Sequence, residues 1–392
     1  MFLNIKQSER IKRLPPYLFA EIEKLIHEKR NQGMDLISLS IGDPDLPPPK
    51  IVIDSIREEA TDPKNHNYSL SQGEPFFREA ISVWCKKRFN IDIAKDEVIC
   101  LLGSKEGLAN IARAFVNMGD RVLVPDPGYP VYNNSGALLN DGIPVPIPLL
   151  QENKFLPDIE KIDTKKVKMM YLNYPNNPTS ATMDKKFLSQ IVDFAKEKNI
   201  ILCYDNAYSE ICLDGYKAPS IFEVDGAMDV AVEFHSCSKT FNMTGDRIGF
   251  AIGNKHLLTG LAKIKSQVDS GPPVYIQKVA VKAFESYKDK SPPDFLNKNN
   301  SIYSKRRDIL VNHLNSMGFN CKKPKATFYV WLNCGCNSLK FANKLLEVGV
   351  AVTPGVGFGK HGENFIRFSL TQPEERIKEA CNRMSALAGS KS

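Results

Sequence analysis

No stretch of this 392-residue sequence is apolar for long enough to span a bilayer, which takes about 20 apolar residues as a helix. No membrane role is therefore expected. Met1 to Arg13 is charged and has no apolar core of the kind a secretory signal carries, so the expected location is the cytoplasm. The nine cysteines fall into no regular framework. Cys334-Gly335-Cys336 lacks the second pair that a zinc site needs, and no metal is expected. Cys100, Cys203 and Cys212 lie in apolar runs and read as small buried hydrophobes, a usage that fits a reducing compartment. Internal repeats and low-complexity linkers are missing. So is a Gly-x-Gly-x-x-Gly turn between a strand and a helix: Gly355, Gly357 and Gly359 come late and without the following helix, which excludes a nicotinamide dehydrogenase. The net charge of +7 is spread along the chain. Its short basic clusters, Lys86-Lys87-Arg88 and Lys305-Arg306-Arg307, sit in helical patterns and read as solvated helix faces rather than a nucleic-acid footprint.

The length is more than one compact core organises and points to two domains. Apolar residues make up 42% and charged residues 25%, the balance of a globular protein. Strands are expected at residues 98–102, 121–124, 167–172, 200–204, 230–234 and 248–252. Between them Leu108, Ile111, Ala112 and Phe115 recur at helical spacing, as do Leu188, Ile191, Val192 and Ala195. Near-continuous apolar strands separated by amphipathic helices imply a mainly parallel α/β sheet covered on both faces. After about Gly271 the pattern changes to a helix over 295–316, a strand over 327–332, a helix over 339–347, strands over 350–353 and 365–370 and a last helix from Glu374. This reads as a smaller α+β domain, with a helix over 15–30 packed on it. The expected division is a large domain at 48–274 and a small one from 1–47 and 275–392.

Ligands of such sheets bind at the carboxyl ends of the strands. Polar motifs fall there five times: Gly103-Ser104-Lys105, Gly128-Tyr129, Asn177-Pro178, Asp205 and Ser236. The last opens Ser236-Cys237-Ser238-Lys239, with Arg247 and Gly249 following. A lysine between small hydroxyl residues, with an arginine close behind, suits an imine with an aldehyde whose phosphate the neighbours grip. Pyridoxal phosphate is the aldehyde–phosphate that such a lysine anchors.

Taken together, these motifs resemble the class I/II aminotransferases of pyridoxal-phosphate fold type I, from Ser40-Ile41-Gly42-Asp43-Pro44 through to Arg367. The resemblance implies a large, mainly parallel α/β/α domain, a smaller α+β domain and ping-pong amino transfer. It makes Lys239 the Schiff-base lysine and proton shuttle, Asp205 the partner of the pyridine nitrogen, and Tyr208 and Asn177 the groups on the phenolic oxygen. It gives the phosphate to Gly103, Ser104, Lys105, Ser236, Ser238 and Arg247, and the ring face to Tyr129. Tyr68 would reach the phosphate of a second subunit, which implies a homodimer with shared sites. Arg367 would clamp the substrate carboxylate, beside Gly42. A buried arginine in an apolar strand needs an anion, which agrees independently. The sequence departs from the family pattern in three places: Ser180 stands where a glycine is usual, Ser69 to Gln72 is an unusual run next to Tyr68, and Asp246 precedes Arg247, where it would compete for the phosphate arginine.

Several stretches are most similar to the LL-diaminopimelate aminotransferases. These are Leu14-Pro15-Pro16-Tyr17-Leu18-Phe19, Gly103-Ser104-Lys105-Glu106-Gly107, Glu233-Phe234-His235-Ser236, Asn242-Met243-Thr244-Gly245, Lys265-Ser266 with Val268-Asp269-Ser270-Gly271, and Lys325-Ala326-Thr327-Phe328-Tyr329-Val330-Trp331. The resemblance implies small amino-acid and 2-oxo-acid substrates. Lys105 would meet the substrate's far carboxylate, and Glu106 or an acid of a second subunit its far ammonium. An aspartate, alanine or broad 2-oxoglutarate aminotransferase, and a pyridoxal-phosphate C–S β-lyase, would use the same central residues.

Overall fold

The computed structural model describes residues 5–16, 18–288 and 291–386, with residues 18–20 described by backbone alone. Of the stretch from Leu14 to Phe19, Tyr17 and the side chains of Leu18 and Phe19 therefore lie outside the described residues, as do the first four residues of the segment read against a signal peptide. In chain order the strands are β1 Ile37–Ser38, β2 Val98–Leu101, β3 Arg121–Asp126, β4 Ile143–Pro148, β5 Val167–Asn173, β6 Ile201–Asp205, β7 Ala231–Ser236, β8 Gly249–Gly253, β9 Tyr329–Asn333, β10 Val350–Ala351, β11 Thr353–Pro354 and β12 Phe365–Ser369.

Seven of them form one sheet in the order β2-β8-β7-β6-β5-β3-β4. Only β8 runs against the rest. Both faces are covered, which is why the strands read as apolar runs rather than alternating ones. Val122, Val124, Met169, Tyr171 and Cys203 pack on one face with the helix Ser104–Phe115 and the helix Lys255–Lys265. Leu123, Met170, Leu172 and Leu202 pack on the other with the helix Lys185–Glu197. At the β2–β8 edge, Cys100 and Phe250 pack against the helix Pro75–Phe89 and the helix Val274–Glu285.

Edge strand β4 was not expected. Pro144, Pro146 and Pro148 remove alternate N–H donors and read as a strand breaker, but β4 pairs only with β3, and an edge tolerates those losses.

A second core lies beyond the sheet. Strands β11, β12 and β9 form an antiparallel sheet, and β1 pairs in parallel with β10. The helices Asp294–Ser316, Ser338–Glu347 and Glu374–Ser385 contribute Leu310, Val311, Leu314, Leu345 and Ile377 to this core. Residues 350–353, expected as one strand, serve two sheets: Val350 and Ala351 face β1, whereas Thr353 faces Arg367 of β12. On the helix Leu18–Asn31, Ile26 is buried with Leu36 and Ala351, and Ile22 packs beside it. No helix of the described residues is long and apolar enough to cross a membrane.

Candidate active site

Strand ends gather the polar motifs. Asn173, Asp205 and Ser236 are the last residues of β5, β6 and β7, and Asn173 stands opposite Asp205 in the ladder. Because β8 runs the other way, its first residue, Gly249, lies opposite Ser236 at the same edge. Arg247, two residues earlier, is thereby delivered to that edge from the opposite chain direction. It adopts φ +54°, a left-handed conformation that costs an arginine about 1–3 kcal/mol. Its guanidinium donates to the Thr244 carbonyl (2.9 Å), the Leu102 carbonyl (3.1 Å) and the Ser238 hydroxyl (3.5 Å). Among the described residues no ion pair joins it to Asp246, whose carboxyl burial pushes upward.

Asn173, Asp205, Ser236, Ser238 and Arg247 line a cavity of about 330 Å³ with Gly42, Ser104, Lys105, Tyr129, Asn177, Tyr208, Lys239 and Arg367. Every candidate except Tyr68, Gly103 and Glu106 borders it, and Gly103 caps the helix that opens at Ser104. Tyr68 is 93% exposed and lies in a separate hollow with His66 and Tyr275.

Lys239 is half-buried, and its ammonium donates to the Gly42 carbonyl (3.0 Å). Burial pulls its pKa down from 10.5 to about 8; Asp43 opposes this, while Arg367 and Arg247 add to it. Asp205 is buried, which pushes its carboxyl up from 3.8 to about 6. The Tyr132 hydroxyl (2.7 Å) and the Ala207 amide (3.3 Å) donate to it and work against that rise. Arg367, 1% exposed, donates to Asn177 Oδ1 (2.7 Å) and the Ser40 carbonyl (2.7 Å), and stands 4.3 Å from the centre of the Tyr329 ring. The Tyr208 and Tyr329 hydroxyls share a hydrogen bond of 3.1 Å. A Cβ on Gly42 would overlap the Tyr329 hydroxyl, so this position has no room for a side chain.

The helix Ser104–Phe115 starts at Gly103 with φ +79° and no side-chain cap, leaving its first amides to a ligand. A Cβ on Gly103 would lie 2.5 Å from Arg247 Nη2, and one on Gly249 would lie 2.9 Å from the Ser104 amide. Glycines thus keep open a cradle of amides, two serine hydroxyls and a guanidinium, which is a donor set for a phosphate. A buried carboxylate and a depressed lysine share the cavity with it. Pyridoxal phosphate, with its phosphate, ring nitrogen and aldehyde, fits these three features.

Tyr132, Tyr329, Asn173 and Glu23 also border the cavity, and sequence reasoning missed them. Tyr132 was detectable as the residue one helical turn after Tyr129. Tyr329 was absorbed into an apolar strand. Glu106, expected to face a ligand, instead accepts from Lys265 (3.1 Å), Asn110 (2.6 Å) and the Leu102 amide (3.3 Å). Lys265 is fully buried, so this network holds Glu106 in the packing between helices. Ser180 adopts φ +58°, the reason a glycine suits its position, and its hydroxyl bonds Thr327 (2.7 Å) and the Tyr329 carbonyl (2.9 Å).

A family model, aminotransferase class I and II, matches residues 34–384. The chain belongs to the class I and II aminotransferases. It is 45% identical to the LL-diaminopimelate aminotransferase of Desulforudis audaxviator over 99% of both chains. It is 46% identical to that of Moorella thermoacetica over 98% of this chain and 99% of the other. Among solved structures, substrate-bound BacF from Bacillus subtilis superposes with a TM-score of 0.92 at 36% identity, covering 98% of each chain. An aspartate aminotransferase from Thermus thermophilus bound to maleate gives 0.91 at 28% identity, covering 98% of this chain and all of the other. Aminotransferases of this family depend on pyridoxal phosphate.

Proposed function

We propose that the chain transfers an amino group between LL-diaminopimelate and 2-oxoglutarate. The observation that carries the reading is the convergence of Lys239, Asp205 and Arg367 on one cavity in a chain that matches LL-diaminopimelate aminotransferases along nearly its whole length. Pyridoxal phosphate, when bound, carries the amino group between substrates and accepts the electron pair released at the substrate α-carbon.

This chain's residues do the rest. The first amides of the helix opening at Ser104, that of Lys105 among them, would hold the phosphate together with Ser236, Ser238 and Arg247, and Gly103 keeps their cradle open. Tyr129, which borders the cavity, would cover the ring face. Asp205, held by the Tyr132 hydroxyl, would supply the carboxylate for the ring nitrogen, and Tyr208 and Asn177 would serve the phenolic oxygen. Arg367, beside Gly42 and Asn177, binds the substrate α-carboxylate. Lys239 moves the proton at the substrate α-carbon, and its depressed pKa supports that role, since a neutral amine is then within reach at working pH. Lys105, exposed and bordering the cavity, would meet the far carboxylate with its side chain.

The active unit in this reading is a homodimer in which Tyr68 completes the neighbour's site. Its exposure outside this chain's own cavity supports that. Nine free cysteines support a cytoplasmic location. The Thermus structure favours a second reading, aspartate as amino donor. Initial rates with LL-diaminopimelate, aspartate and alanine, each with 2-oxoglutarate, decide between them. LL-diaminopimelate should be the best donor, and turnover of aspartate without it would transfer the assignment to the second reading.

A further inference from the structure

We propose that Glu23 reads the ammonium at the far end of the substrate, an inference that rests on the reading just given. Among the described residues three carboxylates line the cavity: Asp43, Asp205 and Glu23. Asp205 is buried against Tyr132. Asp43 adjoins Gly42, whose carbonyl receives Lys239, and its charge acts on that lysine. Glu106 is engaged by Lys265 and Asn110. Glu23 is exposed, and among the described residues neither a hydrogen bond nor an ion pair holds it.

Its helix explains its direction. Ile22 and Ile26 pack against Leu36 and Ala351, and Glu23 stands beside that apolar stripe, at the border between core and cavity. Glu21 and Tyr129 border the adjoining hollow, and Tyr129 also borders the site, so this helix lies along the Tyr129 side of the cavity. A cation and an anion, Lys105 and Glu23, therefore line the cavity in addition to the deep clamp at Arg367. A substrate whose far end is itself an amino acid presents a carboxylate and an ammonium together, and this pair complements both. A plain dicarboxylic amino acid would use Lys105 alone.

The test compares LL-diaminopimelate with L-2-aminopimelate, which keeps the carbon chain and far carboxylate but lacks the far ammonium. With holoenzyme, Glu23→Gln should lower the ratio of the two kcat/KM values by about tenfold through the KM for LL-diaminopimelate. Glu23→Asp should recover part of it, and Glu21→Gln should leave the ratio unchanged. The melting-temperature rise that LL-diaminopimelate gives the holoenzyme should shrink in Glu23→Gln. An unchanged ratio in Glu23→Gln, with the parent enzyme active on LL-diaminopimelate, overturns the role of Glu23 and leaves the proposed function standing. Failure of the parent enzyme to use LL-diaminopimelate overturns both.

Discussion

Asp205 and Tyr132 form the residue pair on which the cavity's electrostatics turn. A hydroxyl donating to a carboxylate contributes about 1.5–3 kcal/mol, and 1.4 kcal/mol is a factor of ten in binding. Tyr132→Phe should therefore raise the Asp205 pKa further and weaken cofactor binding about tenfold, read from absorbance titration of the apoenzyme. Wild-type affinity in that variant would remove Tyr132 from the account. The raised pKa of Asp205 also has a sign in stability. Its folded value, about 6, lies above its ordinary 3.8, so the folded apoprotein binds the extra proton between those pH values. Stability from this group is present below about pH 4 and lost as pH rises through about 6, by about 3 kcal/mol in all. The apoprotein of Asp205→Asn should thus melt higher than wild type at pH 8 and equally at pH 4, in calorimetry at both values. At this scale the cavity positions of Asp205 and Arg367 were legible because each is a polar residue in an apolar strand, and that of Lys239 because it stands among serines just after one, with Arg247 following. Tyr132 and Glu23 were not, because a tyrosine and a glutamate at helical spacing read as ordinary packing and an ordinary solvated face.

Among the elements, the helix Ser104–Phe115 binds through its uncapped end, and Gly103 sets the geometry there. Gly103→Ala puts a methyl group 2.5 Å from Arg247 Nη2 at a left-handed φ. The substitution should destabilise the fold by about 1 kcal/mol and weaken cofactor binding by more than that alone would suggest, about tenfold. A melting scan of the apoprotein and a cofactor titration measure the two effects separately. A loss of stability with unchanged affinity would show that the cradle does not hold the phosphate. The central strands were legible within a residue or two from their apolar runs. The prolines of β4 hid it, and β10 and β11 were merged because two-residue strands carry no period to read; their division follows from pairing with Ile37 and Arg367, partners far away in sequence.

For the whole molecule, the sequence implied a mainly parallel sheet covered by helices on both faces, which the structure has, but a single chain holds only part of the proposed assembly. Tyr68 stands 93% exposed with Leu70 and Val268 also exposed near the same hollow. If it serves a neighbouring subunit, mixing Tyr68→Ala with Lys239→Ala chains creates one native site per hybrid dimer. Equal amounts, after subunit exchange, should recover about a quarter of wild-type activity from two nearly inactive parents. Activity no greater than the sum of the parents, with exchange verified, would place each site within one chain. Substrate choice is also a property of the assembled cavity, since Arg367, Lys105 and Glu23 come from distant parts of the chain. The most direct test of the account offers holoenzyme equal concentrations of LL-diaminopimelate and aspartate with limiting 2-oxoglutarate, and follows both donors. Their relative consumption reports the ratio of kcat/KM, and the account predicts that LL-diaminopimelate disappears at least about tenfold faster. Consumption of aspartate while LL-diaminopimelate remains would contradict it.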